Sequence, residues 1–247
     1  MSKFFKKYNF FGYDINKQLK RLFPKKKNFK FVTPNLRNIN EKFDLIIMSH
    51  SIMYINKIKD DFLLYKKMLK RNGILYIQMP NIEKNPFYAL MGDQFNFFTS
   101  ESLKNVLKIC GFKSKIINNN IFKREIIMIA KKHNYRNKLK FKNSKVYEKC
   151  IIKIRKIIDD LAKFNKKKLI VMGTTVNSAF VDEILFDKIK FFIDENLSNK
   201  KNIFRGKKVV HPNKLSKNHN IILPYTVSNK SILNKFKNIY KGKFFLI

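Results

Sequence analysis

A histidine, a tyrosine, a serine and two aspartates stand where apolar runs give way to polar tips, and these residue types could carry chemistry. Ser49 and His50 close the apolar run FDLIIM, Tyr54 follows four positions later, Asp93 opens the pair Asp93-Gln94, and Asp14 ends YNFFGYD. An imidazole titrates nearest neutrality and so can move a proton. Tyrosine and aspartate can assist such a transfer. An ionised carboxylate only accepts hydrogen bonds, through two oxygens, which suits it to bind a pair of hydroxyls. Each residue also has a plain structural reading: an Asp or Asn after a strand caps a turn, and a lone His can be a packing residue. The residue types by themselves leave both readings open.

The stretch Phe43 to Pro80 positions most of them. An apolar strand (Asp44 to Met48) leads through the Ser49-His50 tip to an amphipathic helix (Ile58 to Leu69). A Gly73 turn then starts a second apolar strand, Ile74 to Met79. Ile58, Phe62, Tyr65 and Leu69 share one helical face. Both strands are near-continuous apolar runs, which predicts a parallel βαβ unit with helices on both faces of its sheet. Ligands of such sheets sit outside the strands' carboxyl ends, which selects Ser49, His50 and the segment after Pro80.

Upstream, a strand ending at Asp14, a short helix over Asn16 to Phe23 and a strand Asn28 to Val32 are expected, with Asn35 and Leu36 just beyond. Downstream, Phe87 to Met91 reads as helical. Thr99 or Ser100 caps a helix with Leu103, Val106, Leu107 and Cys110 on one face, and Gly111 ends it. Phe112 to Asn118 and Glu125 to Lys131 read as two strands joined by an Asn-rich turn. Residues 133–143 are polar, basic and aperiodic, a linker, and Val146 to Phe164 forms a long amphipathic helix that bridges two units or covers the second.

The second unit starts with strand Lys168 to Met172, a Gly173-Thr174-Thr175 turn and a helix carrying Val176, Ala179, Phe180 and Ile184. Strand Ile189 to Ile193 ends in Asp194. A short strand at Val209-Val210, His211-Pro212, strand Asn220 to Leu223, a helix capped by Ser228 and a last strand, Phe244 to Ile247, complete it. The expected domains are 1–132, then a linker and bridging helix over 133–166, then a smaller α/β domain over 167–247.

Composition narrows the function classes. The 247 residues include 54 Lys and Arg against 17 Asp and Glu, a formal net charge of +37. The excess is nearly all Lys and is spread along the whole chain. Dispersed Lys gives salt-sensitive phosphate attraction without base reading, so nucleic acid is disfavoured as a specific partner. A basic surface still attracts phosphorylated small molecules. No run of about 18 apolar residues exists, and no signal-peptide core opens the chain, so a cytoplasmic location is expected. Cys110 and Cys150 have no metal-ligand partners nearby and read as reduced structural thiols.

The order strand-Asp14, short strand-Asn35, FDLIIMSHS, Gly73-ILYIQMPN, FFT-helix-Cys110-Gly111-Phe112 and the pair FKSKIIN and REIIMIAKK resembles class I S-adenosylmethionine-dependent methyltransferases. The resemblance runs from Tyr8 to about Lys132 and is closest to the branch with HxLEHI after its fourth strand and (E/D)HxxxF after its fifth, which includes sugar C-methyltransferases. The small C-terminal domain of that branch is similar to LIVMGTT…IKFFIDENLSNKKNIFRGKKVVHP. The resemblance implies a Rossmann-like sheet, S-adenosylmethionine as cofactor and a sugar or sugar-nucleotide substrate. It also implies that Asp14 takes the cofactor's ribose hydroxyls, Asn35 and Leu36 contact adenine, and Ser49 lines the methionine end, while His50, Tyr54 and Asp93 serve the transfer.

The chain departs from the family in three places. The family's first strand and glycine-rich loop have no counterpart in the thirteen residues before Asp14, which hold the single glycine Gly12. Tyr54 stands where the second His of HxLEHI belongs, and Gln94 replaces the His of the second motif. Glutamine exchanges no proton near neutral pH, so a histidine mechanism is unavailable at those two places. The expectation is therefore a methyltransferase sheet lacking its first strand, with a truncated, non-catalytic binding module as the alternative.

Overall fold

The computed structural model describes residues 7–32, 35–118, 121–134, 145–164, 168–197, 202–215, 219–224, 229–237, 240 and 242–247. The chain is α/β, with a parallel pair and a mixed four-stranded sheet in its N-terminal half and a largely parallel sheet in its C-terminal half.

In the N-terminal half, β1 (Phe10–Tyr13) pairs in parallel with β2 (Phe29–Val32) as a separate two-stranded sheet. A four-stranded sheet follows, in the order β3, β4, β6, β5. Strand β3 (Phe43–Ser49) runs parallel to β4 (Leu69–Pro80), while β6 (Glu125–Lys132) is antiparallel to both β4 and β5 (Phe112–Ile116). The link between β3 and β4 is α1 (Ile58–Met68), with Asp60 and Asp61 in its first turn and Lys66 and Lys67 in its last, the charge order that favours a helix dipole.

No turn separates α1 from β4. The strand begins at Leu69, directly after the helix, and Gly73 lies inside it. The sequence Lys70-Arg71-Asn72-Gly73 looks like a turn, but Phe43 of β3 pairs with Leu69 and the register shifts between Phe43 and Leu45. Gly73 is required there because a Cβ would stand 2.8 Å from the Phe43 carbonyl oxygen. The segment expected as a helix after Asp14 is a 3-10 turn, Lys17–Leu22, and the one after Asn85 is another, Pro86–Leu90.

One face of the four-stranded sheet is packed. Met48, Leu75, Ile77, Met79, Ile126, Met128, Ala130 and Phe112 lie on that face and form a core with Phe62, Tyr65 and Met68 of α1 and with Leu103, Leu107 and Cys110 at α2 (Ser100–Ile109). Thr99 caps α2 through a reciprocal capping box with Ser102, and Gly111, at φ +77°, turns the chain from the helix into β5.

The opposite face departs from the expectation of helices on both sides. Its residues are Leu45 and Ile47 on β3, Ile74, Tyr76 and Gln78 on β4, and Ile127 and Ile129 on β6. Near β3 it is bare, with Leu45 48% and Ile47 59% exposed. Among the described residues the second face is thus covered toward β6, where Ile127 is buried, and uncovered at β3, so the apolar runs gave the right strands and the second layer only in part.

Helix α3 (Val146–Ala162) lies between the halves. Cys150 reaches the Ile82 carbonyl through its thiol, while Leu161 joins the second core. Most of the expected linker, residues 135–143, lies outside the described residues, as does Ser228.

The second sheet has the order β12, β11, β7, β8, β10, β9, in which only β9 (Ile203–Phe204) runs antiparallel. Its parallel strands are β7 (Leu169–Met172), β8 (Ile189–Ile193), β10 (Lys207–Val210), β11 (His219–Leu223) and β12 (Gly242–Leu246). Taken in chain order, the five parallel strands are arranged 3-2-1-4-5, the doubly wound pattern. Helices α4 (Val176–Ile184) and α5 (Asn229–Lys237) connect them, and α4 and α5 residues pack into two separate clusters, centred on Leu169 and Val171 and on Ile170 and Met172.

Candidate functional site

The carboxyl end of β3 gathers the most elaborate polar geometry of the N-terminal half. The His50 N–H donates to the Gln78 carbonyl at 2.8 Å, extending the ladder one residue past the strand. His50 then adopts φ +49°, a left-handed conformation that a non-glycine residue seldom takes without a local reason. That twist carries its ring toward Glu125 at the start of β6, where Nε2 lies 3.2 Å from Oε1. The other Glu125 oxygen accepts from Gln78 Nε2, and Gln78 Oε1 accepts from the Tyr76 hydroxyl at 3.1 Å.

Glu125 is therefore a member of the site that sequence reasoning missed. It lies 75 positions from His50, and only the antiparallel pairing of β6 with β4, which sets Glu125 opposite Pro80, brings it to the same end. A carboxylate accepts only, so the neutral imidazole donates Nε2–H to it and leaves Nδ1 as the acceptor. Such an imidazole is held in one orientation with a ring nitrogen free to accept, which is the geometry a general base needs.

Tyr54 and Asp93 are joined through their backbones. Tyr54 ends a 3-10 turn, Ile52–Tyr54, whose Ile52 and Met53 are buried in the core. The Met53 carbonyl accepts from the N–H groups of Phe95 at 2.9 Å and Asn96 at 3.1 Å, and Asn96 Nδ2 donates to the Ile55 carbonyl. The loop carrying exposed Asp93 is thus latched to the turn carrying Tyr54, which is 45% exposed. Gln94 points back into its own loop, toward the Met91 sulfur.

Asp14 stands on the other sheet, just after β1. Its Oδ1 accepts from the Asn16 N–H at 2.8 Å, and among the described residues Oδ2 has no hydrogen-bond partner. Asn35 caps the turn Leu36–Asn38 by accepting from the Arg37 N–H at 2.9 Å, and Leu36 packs against the core. Two observations tie this sheet to β3 and α1. The Phe11 ring meets Phe43 edge-on at 5.1 Å, and Asp61 in the first turn of α1 helps to raise the Tyr13 phenol, whose shift comes first from burial. The Asp61 carboxyl is itself raised by burial, against the pull of Arg37. Since α1 starts at the carboxyl end of β3, the tips of β1 and β3 share one end of the molecule. No described contact joins Asp14 to His50 directly.

In the C-terminal half, Asp194 braces the turn after β7. Its Oδ2 accepts from the Thr174 N–H at 2.9 Å and hydroxyl at 2.7 Å, and its Oδ1 accepts from the Asn196 N–H. Glu195 pairs with Lys235, and His211 caps its own turn by accepting from the Asn213 N–H. Cys110 and Cys150 are buried, with both thiols pushed up by burial, and no trio of His, Cys, Asp and Glu able to hold a metal exists among the described residues.

Residues 1–114 match the family model of a methyltransferase domain. No curated protein matches the chain. Among solved structures, an S-adenosylmethionine-dependent methyltransferase from Archaeoglobus fulgidus is 19% identical, with a TM-score of 0.40 over 49% of this chain and 75% of that one. One from Clostridium acetobutylicum is 16% identical, with a TM-score of 0.38 over 51% and 76%. A Haloferax volcanii complex of the Trm112 methyltransferase activator with a methyltransferase gives 9% identity and a TM-score of 0.42 over 52% and 73%.

The cofactor implied by a methyltransferase domain is S-adenosylmethionine. Among the described residues Asp14 leaves one carboxylate oxygen without a partner, the acceptor a pair of hydroxyls would take, and the Asn35-Leu36 turn follows β2 at the same end of that sheet, since Tyr13 pairs with Val32. At the methionine end, the positive-φ glycines among the described residues are Gly111, Gly173 and Gly206, none of them beside β1 or β3.

Proposed function

We propose that the chain binds S-adenosylmethionine at the shared end of β1 and β3 and methylates a small molecule, a sugar or sugar nucleotide. The observation that carries the reading is the His50-Glu125 pair at the tip of β3, in which Glu125, beyond the segment matched to a methyltransferase domain, orients His50, which lies inside it. Similarity to the sugar C-methyltransferase branch supports the substrate class, and a net charge of +37 favours a phosphorylated one.

Asp14 holds the ribose through Oδ2, Asn35 and Leu36 flank the adenine, and Ser49 borders the methionine end. When bound, the cofactor supplies an electrophilic methyl group. His50 Nδ1 takes the proton that the acceptor atom loses, and Glu125 holds the resulting imidazolium. Tyr54 and Asp93, on their paired turn and loop, orient the acceptor. This arrangement needs only in-line approach and one base.

Titration calorimetry with S-adenosylmethionine tests the reading, followed by S-adenosylhomocysteine release with a panel of nucleoside diphosphate sugars. Wild type binds, Asp14→Ala binds about tenfold more weakly, and His50→Gln binds normally but turns over slowly. No heat at about 1 mM cofactor, a thousandfold above micromolar affinity, overturns it. Binding without turnover on any acceptor favours the second reading, a non-catalytic binding module, which the exposed apolar face at Leu45 and Ile47 supports.

A further inference from the structure

The carboxylate that holds His50 is itself held from its other side. Strand pairing sets Gln78 opposite Ile127 and Pro80 opposite Glu125, so Gln78 and Glu125 are diagonal neighbours on one face of the sheet. Such diagonal positions lie about 7 to 8 Å apart, a span that long side chains cross. Gln78 Nε2 crosses it to the second Glu125 oxygen, while Tyr76, on the same face and strand, donates its hydroxyl to Gln78 Oε1. Chemistry fixes the order of donors. An ionised carboxylate accepts only, so the amide must turn its NH2 group to Glu125 and its oxygen to Tyr76, which then has to donate. Glu125 is thus the common acceptor of two converging donors, Gln78 on one oxygen and His50 Nε2–H on the other.

We propose that Gln78 is a positioning residue, which fixes the Glu125 carboxylate and through it the orientation of the His50 ring. The inference rests on the reading of His50 as the base and deepens it. The backbone at Glu125 is already anchored: its N–H donates to the Phe122 carbonyl at 3.0 Å, and the Arg124 carbonyl accepts from the Asn81 N–H at 3.0 Å. The side chain beyond has several rotatable bonds, whose freedom must be given up to hold one geometry. A single contact to a half-exposed imidazole is the kind of surface pair that contributes little. Two hydrogen bonds, one on each oxygen, fix the plane of the carboxylate where one leaves it free to swing. An amide exchanges no proton near neutral pH, so Gln78 acts by placement and not as a proton relay.

Carbon-13 relaxation of the His50 ring in the 247-residue chain reads this placement without any turnover. In wild type the ring is as ordered as rigid backbone, with an order parameter of about 0.85; in Gln78→Leu, which keeps the bulk and removes the donor, it falls below about 0.6. Gln78→Asn, whose amide stops a methylene short, loosens the ring as well, and Tyr76→Phe, which spares Gln78 Nε2, loosens it less. In S-adenosylhomocysteine release, Gln78→Leu lowers kcat by about tenfold and leaves the KM for S-adenosylmethionine unchanged. A His50 ring as ordered in both Gln78 variants as in wild type overturns the proposal, as does a ring already disordered in wild type. Loosening in a chain that binds no cofactor upholds the positioning role and overturns the methyl-transfer reading alone.

Discussion

Single residues show what distance in sequence conceals. The position of His50 and Asp14 at strand tips was legible because each ends an apolar run, and their types limit what they can do. Glu125 was not legible, since a glutamate opening a strand has no local mark and its partner is fixed by sheet pairing alone. The same holds for Asp182 in the second half. It is fully buried on α4 and accepts from Arg205 Nε at 2.8 Å and Lys207 Nζ at 2.6 Å, while Arg205 also holds Glu183. The Asp182 hydrogen bond is the chief cause holding the Arg205 guanidinium above its ordinary range. Because both cations keep some contact with water, removing the carboxylate costs less than stranding a fully buried charge. Asp182→Ala is expected to destabilise by about 2 to 4 kcal/mol, read from urea unfolding, whereas the i,i+3 pair partner Asp160, on an exposed helix face, should cost well under about 1 kcal/mol when replaced.

At the scale of elements, local signals succeeded where they were redundant. Helix α2 carries a cap, a 3.6-residue apolar stripe and a terminal glycine, and each points to the same boundaries. Thr99→Ala removes the capping bond from the Ser102 N–H at 3.0 Å and leaves the reciprocal one, from the residue 99 N–H to Ser102 Oγ, in place. The expected loss is about 1 to 2 kcal/mol, with Thr99→Ser retaining most of it; equal melting of Thr99→Ala and wild type would contradict the role. Signals failed where tertiary pairing overrode composition. Lys70 to Gly73 reads as a turn but extends β4, because Leu69 pairs with Phe43 and Lys70 Nζ reaches Asp44 at 2.8 Å. Apolar runs in β3 and β4 likewise predicted two covered faces. A run reports only that a strand is apolar, and the covering layer on the second face must come from residues elsewhere.

For the whole molecule, the two halves meet through a compact joint between the turn after Asn85 and α4. Phe87 stacks edge-on against Phe180 at 5.2 Å, and Asn85 Nδ2 reaches Asn177 Oδ1 at 3.4 Å. Asn177 in turn donates to the Pro224 carbonyl at 2.6 Å, bridging the ends of β7 and β11 where the strand order of the second sheet reverses. That crevice is the usual ligand position of a doubly wound sheet, and here the first half reaches into it. Phe87 is fully buried, so Phe87→Ala should cost about 3 to 5 kcal/mol in calorimetric unfolding. A loss smaller than about 1 kcal/mol would mean the joint is not a shared core.

The excess of lysine has a consequence for how this molecule behaves in a crowd of its own kind. An apolar strand edge that is unpaired among the described residues ordinarily invites end-on growth of fibres, and a net charge of +37 opposes that growth by like-charge repulsion. Concentrated salt would strip away that shielding, so the colloidal lifetime of the purified chain is set by ionic strength before it is set by heat.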